Sequence, residues 1–376
     1  MHHQPCTGRG RRGAALLLTL AILALVLAMA AGGAHLVAGD ARRAGEERAI
    51  ALAQASADAG AYSVLRDRST FDFDAMAVGD TLPSATIAAG QGTAFVRGQR
   101  ISSLAWWVTS LGVFPDTVSL GHSRRRVRLA LRQAIPEVGP AAALTVRDSV
   151  AVTGLGAVRG TDTTTGTWGQ GCAPSAGIAG IAVADTTLVR AGTVVGTPPV
   201  NQDPAAALLG TYDIFGPDTW TNMTARASHV LPAGSVVTPQ PSLTSGACDR
   251  ADPANFGEPL GTGPCARYAP LLWVRGDLEL RGGRGQGVLL VDGDLVVSQG
   301  AEFHGVVVTR DDIRSGLGGG RIFGVAMAAD SLAAAGDHTH IGHGLLIQRA
   351  TCTALGVLRR TAPLVPVARR SWAEVH

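Results

Sequence analysis

Carboxylates and histidines recur in this chain at spacings that could set them side by side. Asp277 and Asp294 each follow a glycine and Asp312 follows Arg310-Asp311, and Asp277-Leu278, Asp294-Leu295 and Asp312-Ile313 occupy matching places in a repeated segment. Stacked segments would line these carboxylates up in a row, which suits acid/base work on a polysaccharide or Ca²⁺ binding. Aspartate in a Gly-Asp or Arg-Asp turn also serves the backbone by accepting turn hydrogen bonds. The calcium-binding nonapeptide pattern is absent, so turn service is the preferred reading and no catalytic residue is assigned. His338, His340 and His343, with His304 upstream, form the densest histidine cluster. His338 and His340 would share one face of a strand, as a metal requires. The flanking Gly336, Asp337 and Gly342 place them instead at a surface corner, which leaves weak metal candidates and no expected cofactor. No G-x-S-x-G, P-loop or dinucleotide fingerprint occurs. Trp106-Trp107 reads as core or interface rather than a ligand platform.

Four cysteines, Cys172, Cys248, Cys265 and Cys352, lie beyond an apolar N-terminal run, and Cys6 precedes it. An even number in an oxidising compartment points to two disulfides, with three connectivities open. Cys248 with Cys265 is the favoured pair, because both sit in a Gly/Pro-rich loop poor in core-forming residues. No C-x-x-C occurs, so no zinc pattern is met.

The elements that must position these groups come from a repeat. Segments beginning at Gly287, Gly305 and Gly324 restart after 18 and 19 residues, and Leu271–Leu280 is an upstream copy. Each holds a short apolar strand, a Gly/Asp turn and a second apolar strand. A unit this short cannot bury its own apolar face, so copies must stack, as in a parallel β-helix with glycine at the corners. Leu144–Val152 reads as an earlier copy. The expected β-helix domain therefore covers 141–352, interrupted by a loop-rich insertion over 160–270 and followed by a tail, 353–376. Within the insertion, Thr161–Thr165 is a polar loop, and Asp203-Pro204 starts a short helix by N-cap chemistry.

Residues 69–140 form a small sheet region. Phe71, Phe73, Ala94–Val96, Ser103–Val108 and Arg126–Leu131 are strand candidates; the last alternates basic and apolar, as a half-buried strand does. Arg124-Arg125-Arg126 reads as a solvated turn before it. Ile135–Pro140 is a boundary.

At the N-terminus, residues 1–13 are a basic leader with Arg9, Arg11, Arg12 and Gly13. An uncharged apolar run follows, Ala14–Ala38, broken only by Thr19 and His35. As a helix it spans about 37 Å, enough to cross a bilayer core. Its length exceeds the usual apolar core of a cleaved signal. Residues 39–68 continue as an amphipathic helix whose stripe is Ile50, Leu52, Ala53, Ala57, Ala61, Val64 and Leu65. Gly45 and Gly60 weaken it by about 1 kcal/mol each. The arginines before the run lean towards a cytoplasmic N-terminus and a C-terminal region outside the inner membrane. All 32 basic residues are arginine, net charge is +3, and glycine numbers 49. That balance suggests no nucleic-acid partner, and the glycine content suits a turn-rich β architecture. The expected fold class is α+β, mainly β: a long N-terminal helix, a small sheet, and a parallel β-helix.

Arg11-Arg12-Gly13-Ala14-Ala15-Leu16-Leu17-Leu18, the apolar helix behind it, and Glu46-Glu47-Arg48 before an Ala-rich segment resemble the N-terminus of type IV pilus assembly proteins of the PilX class. The resemblance covers residues 9–70. It implies a peptidase cut between Gly13 and Ala14. It also implies a helix, represented by Leu16, Leu20, Leu23 and Leu27, that packs in the inner membrane or against other pilins. Major pilins carry glutamate at the fifth mature position, where this chain has Leu18, so the resemblance is to minor pilins. The expected function is structural, in pilus assembly, with surface or polysaccharide contact by the β-helix. An anchored adhesin is the alternative, and a β-helix carbohydrate-active enzyme a more distant one.

Overall fold

The computed structural model describes residues 11–66, 76–82, 84–115, 122–138, 141–165, 168, 172–330, 338–367 and 372–374. It divides into two compact units, Met1–Arg132 with Leu364–His376, and Gln133–Pro363.

The first unit is built on one uninterrupted helix, α1 (Arg11–Arg66), of 56 residues and about 84 Å. The expected membrane and amphipathic halves are thus one rod without a break. From Leu16 to Val37 its large apolar side chains are 53–71% exposed, Leu16, Leu20, Leu23 and Leu27 among them. From Ala49 onward the character changes, and Ala49, Ala53, Ala57, Ala61 and Val64 are buried. Ile50, expected on that stripe, is exposed; the small Ala49 takes the buried place. This face lies on an antiparallel meander of β1 (Ala85–Ala89), β2 (Gly92–Arg100), β3 (Ala105–Pro115) and β4 (His122–Gln133). Val96, Trp106, Val108, Val127, Leu129 and Leu131 complete the core under the helix.

Two local expectations change here. Arg124, Arg125 and Arg126 are not a turn but the body of β4, with Arg124 and Arg126 exposed in its alternating pattern. The supposed tail is also structured. Thr351–Thr361 is a helix of the second unit, and the strands Leu364–Pro366 and Trp372–Glu374 both pair with β4. Phe71 and Phe73 lie outside the described residues.

The second unit consists chiefly of two large parallel sheets. Strands Leu271–Arg275, Arg284–Val291, Ala301–Thr309 and Gly320–Ala328 lie side by side in one; Leu278–Arg281, Leu295–Ser298, Ile313–Ser315 and Thr339–Ile341 lie in the other. The chain alternates between sheets. Leu271 is opposite Val288, Val288 opposite Val306, and Val306 opposite Val325, steps of 17, 18 and 19 residues. An in-register ladder of Leu272, Leu289, Val307, Ala326, Leu144 and Ile181 runs through the interior, each fully buried.

The order of that ladder departs from chain order. Ala142–Val146 and Val150–Val152 pair with Gly320–Ala328 and Thr339–Ile341, beyond the last repeat rather than before the first. Nor is 160–270 a plain insertion. Ala179–Val183 and Val200–Gln202 extend the ladder at that end. His229–Pro232 and Ser235–Val237 pair with Leu271–Arg275 and Leu278–Arg281 at the other. Apolar alternation reveals that a strand is a sheet member but not which neighbour it takes. The helix expected after Asp203 is a single 3-10 turn, Pro204–Ala207, with the Asp203 side chain accepting from the Ala205 N–H.

The first sheet is buried on both faces, so its strands read as continuous apolar runs. Leu289, Val291 and Val307 point to the core between the sheets. Val288, Leu290, Val306 and Val308 point the other way, against Ala354, Val357 and Leu358 of the 351–361 helix and against Trp168, Tyr212 and Trp220. In the middle of these strands Gly287, Gly305 and Gly324 lie in register with φ of +133°, +150° and +146°. A Cβ on Gly305 would lie 1.9 Å from the Gly287 carbonyl oxygen, and one on Gly324 1.8 Å from that of Gly305. Backbones this close admit only glycine.

Candidate functional site

The aspartate turns do form a row. The Asp294 N–H donates to Asp277 Oδ1 at 2.9 Å, and the Asp312 N–H donates to Asp294 Oδ1 at 3.1 Å. Each carboxylate thus ties its own turn to the next, one repeat further on. Thr339 donates its hydroxyl to Asp312 Oδ1, and the fork of Arg314 spans Asp294 (3.2 Å) and Asp312 (3.1 Å). Asp294 is held above the usual carboxylate range, by burial first and then by the charges of Asp312 and Asp277, against the opposing pull of the Asp312 N–H and Arg314. Oxygens of Asp294, Asp311 and Asp312 come within 4.8 Å of one another; among the described residues this is the one place where metal-ligating side chains converge so tightly.

The histidines behave differently. His338 and His340 are half-buried on either side of the fully buried Thr339, so they share a face as the sequence indicates. Their rings meet edge-on at 6.3 Å, and those of His340 and His343 at 6.2 Å. His340 Nε2 pairs with the Thr153 hydroxyl at 2.9 Å. Burial, followed by the charges of His338 and His343, lowers its pKa. His304 is not part of this group.

His304 belongs instead to a buried polar network that its sequence neighbours do not reveal. It is fully buried, with Nε2 2.7 Å from Glu302 Oε1 and Nδ1 3.2 Å from the Thr165 hydroxyl. Thr165 continues to Thr353 at 2.9 Å, on the 351–361 helix. Phe323 stacks on the imidazole at 4.9 Å. One strand over, Gln286 accepts from Trp168 Nε1 at 3.1 Å and donates to the Tyr268 carbonyl at 2.7 Å. The hydrogen bond from His304 lowers the Glu302 pKa despite burial, helped by the charges of His304, Arg284 and Arg321. A hydroxyl, an imidazole and a carboxylate in series have the connectivity of a catalytic triad. Here the imidazole has no open face for a substrate, and the chain of bonds fastens Thr165 and the 351–361 helix to the sheet. The available signal was positional: Gln286, His304 and Phe323 each immediately precede a glycine of the Gly287–Gly305–Gly324 ladder.

Both disulfides form among the four cysteines. Cys248–Cys265 closes a 17-residue separation, as favoured, and Cys172–Cys352 closes one of 180. The second fixes the same helix that Thr165 reaches. The chain matches no family model, no curated protein and no solved structure.

The first half of α1 is a further feature that asks for a partner. Among the described residues one helix is long and apolar enough to cross a membrane, within Leu16–Arg66, and its apolar window is wholly unburied. Gly13 and Ala14 lie in the first turns of that helix; residues 1–10 lie outside the described residues.

Proposed function

We propose that this protein is a membrane-anchored structural component of type IV pilus assembly, a minor pilin or pilus-associated factor of the PilX kind. The observation that carries the reading is the division of labour along α1. A single rigid rod leaves its large apolar residues exposed over Leu16–Val37 and buries an alanine stripe on an antiparallel sheet from Ala49 onward. A helix so divided needs lipid or other apolar helices around its first half, while its second half is fixed in a folded unit. Bilayer insertion before assembly, then lateral packing between like helices, meets that need. Arg11-Arg12-Gly13-Ala14 at its start fits a leader cut on the cytoplasmic side, with the folded units outside the inner membrane. Two disulfides agree with an oxidising compartment.

We read the two parallel sheets of the second unit as the walls of a parallel β-helix, with one strand per wall in each repeat. It would serve as a rigid, stapled surface for contacts with other pilus proteins or with a polysaccharide. The row of aspartates supports this structural reading, because its carboxylates are engaged in turn-to-turn hydrogen bonds and the Arg314 fork.

The test is the N-terminal sequence of the membrane-fraction protein from hosts with and without a prepilin peptidase. A peptidase-dependent start at Ala14 is the expected result. A start at Met1 in both hosts would remove the pilin pathway and leave an anchored adhesin; a start near Gly32 would mean a cleaved export signal.

A further inference from the structure

The meander of the first unit turns one face to α1 and a basic face outward. Along β4 the alternating pattern exposes Arg124, Arg126, Arg128 and Arg132. Residues two apart on a strand are about 6.6–6.8 Å apart, so the first three form a row that Arg132 continues. Arg97 of β2 is exposed on the same face, because Thr109 of β3 stands opposite both Arg97 and Arg128. Apolar side chains lie among them. Leu111 stands opposite Phe95 and Arg126, and Phe95 is 39% exposed. Trp107 is half-buried, with the Arg128 guanidinium 5.8 Å from its ring centroid. None of the five arginines has an acidic partner among the described residues. Residues 85–133 hold seven arginines and one acid, Asp116, which lies outside the described residues. The rest of the chain is net negative, so the overall charge of +3 hides a segregated basic face.

We propose that this face binds an acidic polysaccharide laid along β4. Unpaired like charges gathered on one face repel one another and draw an anion across them. Guanidinium forks bind carboxylates bidentately. A uronate polymer repeats its carboxylates along its length, as β4 repeats its arginines, and its sugar rings present apolar C–H faces for Phe95, Leu111 and Trp107 to cover. The row is an open strand surface, which suits an extended polymer better than a small anion. Single-stranded nucleic acid is the competing polyanion, but it gains its affinity from aromatic faces free for base stacking. Here Arg128 lies over Trp107, and Phe95 is the one exposed aromatic of the face. The choice of a polysaccharide also rests on the proposed placement outside the inner membrane, where such polymers are met. Binding of a polyanion by the face does not depend on that placement or on pilus assembly.

The full chain in a neutral detergent is titrated by calorimetry with alginate oligosaccharides, which carry a carboxylate on every sugar, and in parallel with uncharged dextran and with oligothymidylate. The expected result is saturable alginate binding that weakens as NaCl is raised, and no binding of dextran. Alginate binding should be at least tenfold weaker for Arg126→Ala/Arg128→Ala, whose side chains are exposed, and unchanged for Arg190→Ala, an exposed arginine of the second unit. Circular dichroism of each variant confirms that the fold is kept. Absence of alginate binding at low salt would overturn the proposal and leave the arginines as a solvated face. Equal loss in the Arg190→Ala protein would also overturn it, since attraction would then be spread over the whole surface. Tighter binding of oligothymidylate, lost in the same double variant, would overturn the polysaccharide assignment in favour of nucleic acid.

Discussion

Gly112 of β3 lies beneath Ala53 of α1 so closely that a Cβ at position 112 would come within 2.0 Å of the Ala53 carbonyl oxygen. The contact is backbone to backbone, and it sets the distance between helix and sheet. Gly60 answers it from the helix side, where a Cβ would meet Ala94 Cβ and Ser110 Oγ at 2.5 Å. Helix and sheet thus approach through small residues on both surfaces. Gly112→Ala is expected to destabilise the first unit by about 1–3 kcal/mol through overpacking, and Gly60→Ala to destabilise it too, although alanine is the better helix former. Urea unfolding followed by circular dichroism checks both.

Gly60 also marks the boundary of what was legible in the sequence. Read alone, it is a weakness in a helix; in the folded unit it is the residue that permits the packing. The apolar run, the helical stripe and the strand Arg126–Leu131 could be read because each is a local periodicity. The 18- and 19-residue restarts also announced parallel strands, since a short unit must bury its face on a copy. The neighbour order was not legible, and Leu144 pairing beyond Ala326 rather than before Leu272 is the example. The His304–Glu302–Thr165 network was hidden for the same reason: Thr165 stands 139 positions from its partner, and nothing local announces it.

Gly305→Ala should be more damaging than any change at the helix. The position combines a positive φ with a Cβ clash against the Gly287 carbonyl, so about 3 kcal/mol or more is expected. Loss of soluble, protease-resistant second unit is the readout, with an exposed control such as Gly234→Ala, which has open space but also a positive φ, losing less.

The two disulfides should differ in weight. In the chain-entropy model, the 180-residue link is worth about 2 kcal/mol more than the 17-residue one. The Cys172→Ala/Cys352→Ala protein is therefore expected to melt below the Cys248→Ala/Cys265→Ala protein. Calorimetry of both under identical oxidising conditions decides it.

His229 gives a pH dependence with a defined sign. Its Nε2 lies 2.9 Å from the Tyr268 hydroxyl, and burial lowers its pKa, against the raising influence of Asp252, the Arg250 backbone and Asp249. The unfolded chain therefore takes up this proton first as pH falls. The stabilisation is complete above about 6.5 and is lost as pH drops from there through the lowered folded value. Unfolding midpoints measured from pH 7.5 to 5 should fall for the wild type more steeply than for His229→Gln.

Leu23 sits mid-way along the exposed half of α1. Arginine at the centre of a span costs about 2.5–3.5 kcal/mol on insertion scales. Leu23→Arg is expected to move a substantial fraction of the protein from the membrane pellet to the alkaline-carbonate supernatant. Unchanged fractionation would mean that the helix does not lie in lipid.

The most direct measurement of the central claim is the yield of pili sheared from cells of the native host lacking this chain, complemented with wild type or with Leu23→Arg. The expected result is loss of surface pili in the deletion strain, recovery with wild type, and no recovery with the arginine variant. Normal pilus yield and function without the chain would contradict a role in assembly.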